Sequence, residues 1–170
     1  HNDGFIDSNA VSRMWKRRLE SFRHGSDAWM KLIEIRSLLL SPEEHIDACL
    51  KMISALRKER QWRLIDRYFT RLFASVKSPL VILSEAKIKH ARGQISGAIS
   101  LMSCFNRFID GEKTEMDSYF EGILPPDDKL RARLLRIQGD MLYQNSGSNC
   151  EKLLESAKEC FKRSLELNNQ

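Results

Sequence analysis

Apolar residues recur along this chain at three- and four-residue intervals, and Gly, Pro, Ser and Asp separate each such stretch from the next. Val11, Met14, Trp15, Leu19 and Phe22 share one face of a helix over residues 9–23, which Gly25 closes. Ser26 or Asp27 caps a second helix to Leu40, with Trp29, Leu32, Ile33, Arg36 and Leu39 near one stripe. Ser41-Pro42-Glu43-Glu44 is a start signal: a side-chain acceptor, Pro at the first helical position and a carboxylate at the third. The third helix should turn Ile46, Cys49, Leu50, Ile53 and Leu56 inward, and a fourth, from Gln61 to Val76, should bury Trp62, Ile65, Phe69, Leu72 and Phe73.

Ser78-Pro79 repeats the start signal for a fifth helix to His90. Gly93 then turns the chain into a sixth with Ile95, Ala98, Ile99, Met102 and Phe105 inward. Residues 110–127 hold Gly111, Gly122, Pro125 and Pro126 and read as a long connection with one helical turn near Met116 to Phe120. Asp127 or Asp128 caps a seventh helix to Gln144, and an eighth fills Cys150 to Leu167. Amphipathic helix pairs recurring at about 35 to 45 residues predict an all-α fold, an α-solenoid of antiparallel pairs. The turn at Gly93 with Ala98 behind it, and the run Ala157 to Asn168, resemble the closing helix of a tetratricopeptide repeat. An irregular antiparallel bundle is the competing architecture.

Composition narrows the class further. The chain has 170 residues with twenty-one Leu but only three Val and two Thr, which argues against an extended sheet. No apolar run approaches the roughly 20 residues that cross a bilayer. The start at His1, followed by Asn2-Asp3-Gly4, reads as an internal cut, with residues 1–8 disordered or left over from cloning. All 170 residues then form one helical-repeat segment. The cysteines, at 49, 104, 150 and 160, lack the spacing of zinc ligands and read as reduced and structural. The four histidines read as solvated or locally paired rather than as ligands, and no nucleophile lies in a Gly-flanked turn. No catalytic residue, metal ligand or required cofactor emerges.

Charge is concentrated. The formal net charge is +5, and residues 57–71 alone carry +4. In helical projection Arg60, Arg63, Arg67 and Arg71 lie within roughly 80° of one another, opposite Trp62, Ile65 and Phe69. The stripe reads either as a solvated polar face or as an anion site, since guanidinium forks match phosphate oxygens. It spans one helix, lacks interleaved aromatics and belongs to no groove-reading motif, which argues against nucleic acid.

One stretch is more specific. Trp29, Lys31, Ile33, Arg36-Ser37-Leu38, Ser41-Pro42, Glu44, Asp47 and Leu50-Lys51, preceded by Trp15 and Leu19, resemble the FAT domain of the phosphatidylinositol 3-kinase-related kinases, and among them the target of rapamycin (TOR) kinases. The resemblance departs at Lys58-Glu59-Arg60-Gln61, where the family has a small, Gly-containing segment. It implies a non-catalytic scaffold piece of a large Ser/Thr protein kinase, working in the cytoplasm, at endomembranes or in the nucleus. Its partners would be the downstream kinase domain, neighbouring repeats and regulators of the TOR complex. It also implies an inositol hexakisphosphate pocket, to which Arg36, Lys58 and Arg67 correspond, with Arg60 and Arg63 close by. The alternative is an independent tetratricopeptide-type adaptor that binds a peptide or protein. A kinase phosphate loop, a His-Arg-Asp catalytic loop and an Asp-Phe-Gly motif are all missing from the sequence.

Overall fold

The computed structural model describes residues 13–14, 26–38, 46–146 and 151–168. The expected first helix, apart from residues 13–14, and the Ser41-Pro42 start lie outside the described residues, as do residues 1–8. Among those described there are eight helices and no strand, and the fold is all-α, of the α-solenoid class. The chain divides into two compact units, His1–Val76 and Lys77–Gln170.

The described helices of the first unit are α1 (Ser26–Ser37), α2 (Ile46–Lys58) and α3 (Trp62–Ser75). Helix α2 packs against both α1 and α3. That double contact demands a broader apolar stripe than one helix face supplies. Ala48, Cys49, Met52, Ile53 and Leu56 are accordingly buried, whereas Ile46 and Leu50, expected inside, are only half-buried. Trp29 and Ile33 of α1 and Ile65 and Leu72 of α3 complete this core, with Val76 just past the helix end. Trp62 and Phe69 are half-buried rather than central, and Leu38, just beyond α1, is 83% exposed.

The second unit contains α4 (Pro79–Ala91), α5 (Ile95–Ile109), the single turn α6 (Asp117–Phe120), α7 (Asp128–Asn145) and α8 (Glu151–Asn168). Both expected caps are made. Ser78 Oγ accepts from Leu80 N–H at 3.3 Å with Pro79 at the first helical position, and Asp127 Oδ1 accepts from Leu130 N–H at 2.7 Å. Helix α4 packs on α5, α5 on α7, and α7 on α8. Phe105, Leu101, Leu134 and Leu135 form the apolar centre. Phe120 anchors the 110–127 connection, its ring centroid 5.1 Å from that of Phe105 and 5.4 Å from that of Phe108. Beside it Tyr119 Oη donates to Glu85 at 2.5 Å, tying the connection to α4.

Polar contacts set the register of these neighbours. Asn106 Nδ2 donates to Gln138 Oε1 at 2.5 Å and Gln138 Nε2 to Ser103 Oγ at 2.8 Å, a buried ladder between α5 and α7. Ser164 Oγ donates to the Ala132 carbonyl at 2.8 Å, joining α8 to α7. At the end of α5, Asp110 receives Arg131 from α7 on one oxygen and Arg163 from α8, at 2.8 Å, on the other. One carboxylate thus spans three helices. The closest approach is at Gly139 in α7, where a Cβ would stand 2.8 Å from the Phe161 ring of α8.

Three reversals share one geometry. At the end of α4, Gln94 N–H bonds the Lys89 carbonyl at 2.9 Å and Gly93 N–H the His90 carbonyl at 3.0 Å, with Gly93 at φ 80°. Glu112 and Gly111 do the same at the end of α5. These are Schellman caps, whose penultimate residue must adopt a left-handed backbone. At the end of α2 the same two bonds form, Gln61 N–H to Leu56 at 2.9 Å and Arg60 N–H to Arg57 at 3.2 Å, and here the left-handed residue is Arg60, at φ 56°. The missing glycine of that turn therefore alters strain, not geometry.

Two outcomes follow for stability. Arg60→Gly should stabilise the fold by about 0.5–1 kcal/mol, read as a higher urea midpoint, because a left-handed side chain costs more than the glycine entropy it saves. Gly139→Ala, favourable in most helices, should instead cost about 1–3 kcal/mol through collision with the Phe161 ring. Phe161→Leu in the same chain should recover part of that loss in a thermal melt, and no recovery would remove the close approach as its cause.

Candidate functional site

The basic run occupies the end of α2, the left-handed turn and the outer face of α3. Lys58 is the last residue of α2, Arg60 caps it, and Arg63 and Arg67 lie on α3 one turn apart; all four side chains are exposed. Because Arg60 sits in the turn, helical projection does not apply to it, and the stripe proper is Arg63, Arg67 and Arg71, at i, i+4 and i+8. Arg36 behaves differently. It is 3% exposed, inside the first unit.

Between α1, α2 and α3 lies a cleft of about 210 Å³. Its wall is apolar, drawn from Ile33, Cys49, Met52, Ile53 and Leu72. Glu34 and Ser37 of α1 and Arg67, Tyr68 and Arg71 of α3 form the rest of its lining. Of the five residues the sequence pointed to, only Arg67 belongs to this cleft, while Lys58, Arg60 and Arg63 cluster along the turn and the start of α3. Arg36 lies close enough for its charge to be felt at the Cys49 thiol. Arg71 could be paired with Arg67 from the sequence by its four-residue spacing. Glu34, Ser37 and Tyr68 could not, because they meet Arg67 only through the way α1 and α3 flank α2.

The site offers charge and an apolar wall but no activated nucleophile. Burial pushes the Cys49 thiol up from 9.0 to about 11, against the smaller opposing pull of the Arg36 cation. A protonated, buried thiol is inert at neutral pH. Burial likewise raises Tyr119, helped by its bond to Glu85. Among the described residues no cluster of His, Cys, Asp and Glu could hold a metal ion, and no helix is long and apolar enough to cross a membrane.

Within each unit the helices pack on neighbours close in sequence, which is a fold of helical-repeat type. Residues 4–170 match the FAT domain, and the chain belongs to that family. The FAT domain is a non-catalytic helical region of the phosphatidylinositol 3-kinase-related kinases. No curated protein and no solved structure matches this chain.

The thiol supplies a pH test. An acid whose folded value is raised stabilises the fold fully below its unfolded value, and that contribution is lost as pH rises through the folded one. Here the window runs from 9.0 to about 11. The thermal midpoint should fall across it, and by less in Cys49→Ala. Equal falls in both chains would show that Cys49 does not carry the dependence.

Proposed function

We propose that this chain is a scaffold segment of a Ser/Thr protein kinase of the TOR type, supporting and regulating a kinase domain elsewhere in the parent and offering surfaces to its regulators. The observation that carries this reading is the Arg36-Ser37-Leu38 and Ser41-Pro42 pattern, set within a FAT match that spans residues 4–170. Its mechanism is mechanical. Helices that pack on their sequence neighbours resist bending, so a surface on one pair stays in fixed relation to the next. The parent complex works in the cytoplasm, at endomembranes or in the nucleus.

The basic turn is the ligand-binding part of this reading. Inositol hexakisphosphate is the proposed ligand, held by Lys58, Arg60 and Arg63 at the turn together with Arg67, with Arg36 adding positive potential from within. What supports it is the concentration of charge: +4 over residues 57–71, with exposed Lys and Arg forks suited to phosphate oxygens. Calorimetric titration with inositol hexakisphosphate at low salt tests it. Binding is expected, weakened more than roughly tenfold by Lys58→Glu with Arg63→Glu and by rising salt. Absence of heat at low salt, with downstream FAT helices also included, would overturn the ligand assignment and leave the scaffold assignment standing.

A further inference from the structure

The cleft between α1, α2 and α3 has a different character from the basic turn. At about 210 Å³ it is smaller than the roughly 300–1,000 Å³ of small-molecule pockets, and matches one bulky side chain better than a cofactor. Its wall of Ile33, Met52, Ile53 and Leu72 is apolar, so an inositol polyphosphate, which has no apolar surface, would leave that wall against water. Its α3 edge is cationic. Arg67 and Arg71 line the cleft, and Arg63 extends the line, the three spanning about 12 Å of helix. Its α1 side carries Glu34, which repels acids from that side and so confines them to α3.

We infer that this cleft docks an acidic peptide segment of a partner protein, one aliphatic side chain of the peptide entering the wall while flanking carboxylates lie along Arg63, Arg67 and Arg71. Charge complementarity selects this occupant: the wall calls for an apolar group, and the stripe beside it calls for anions. An extended peptide advancing about 3.3 Å per residue covers the stripe in about four residues, so anchor and acids fit one short segment. An anchor side chain in a desolvated pocket, surrounded by contacts that exclude water, is the usual anatomy of a hot spot. Cys49, in the wall, contributes packing only, its thiol being protonated at neutral pH.

Fluorescence anisotropy on the whole chain, at physiological ionic strength, tests the inference. The probes are a fluorescein-labelled polyglutamate peptide with one central leucine and the same peptide with glutamine in its place. The leucine peptide should bind at least roughly tenfold tighter, and Arg67→Glu should weaken it at least tenfold with the thermal midpoint unchanged. Ser37→Trp, at an exposed position on the cleft, should plug it and erase the leucine preference while leaving the weak electrostatic binding. Equal affinity for the two peptides, or no binding of the leucine peptide, would overturn the inference. Neither result bears on inositol hexakisphosphate, which calorimetry reads separately.

Discussion

Each helix described here hides its apolar stripe against helices close to it along the chain. In the second unit α4 rests on α5, α5 on α7, and α7 on α8; in the first, α2 lies against both α1 and α3. Among the described residues the principal contacts join helices close in sequence, so that packing depends on how sharply the chain reverses at each helix end. Three ends use the same pair of hydrogen bonds with a left-handed residue between them, at Arg60, Gly93 and Gly111. At two of them glycine removes the steric cost; at the third the Arg60 backbone bears about 1–2 kcal/mol of strain that the flanking packing must offset.

The same constraint explains where small and polar residues lie. Ala48, Ala86, Ala98, Ala132 and Ala157 are all essentially buried, and Gly139 lets the Phe161 ring rest on backbone. Burying small residues brings helix axes close, and close axes make a mismatch in register costly. The Asn106–Gln138–Ser103 ladder and the two-sided Asp110 clamp then single out one register, because any slip would leave buried amides or a carboxylate without their partners. A segment built this way is suited to hold surfaces at fixed spacing. The two surfaces proposed for binding, the basic turn and the cleft beside it, lie on the outside of that packing.

Most helices were legible because their ends carry chemistry that acts within a few residues. Ser78-Pro79, Asp127 and Gly93 each mark a boundary that the backbone realises, and 3.6-residue periodicity placed Phe105, Met102 and Ile53 inside. What was not legible depends on two helices at once. The buried face of α2 is broader than its own pattern suggests: the helix meets two neighbours, and Ala48 and Met52 are buried as well. Nothing in sequence spacing predicts that Gly139 faces Phe161. The basic residues were visible as a cluster, yet helical projection carried Arg60 onto a stripe that it leaves by turning left-handed. Glu34 joins Arg67 only through packing, which no one-dimensional pattern encodes.

Neighbour packing in a single register, rather than helix propensity alone, holds this scaffold together. Residue-resolved hydrogen exchange of the chain tests it most directly. The slowest amides are expected at Leu101–Asn106 of α5 and Leu134–Leu142 of α7, where apolar burial and the amide ladder coincide, with fast exchange in the exposed turn at Glu59–Gln61. Uniformly fast exchange in a chain that keeps its full helical circular dichroism would contradict it, because helices would then persist without the packing described.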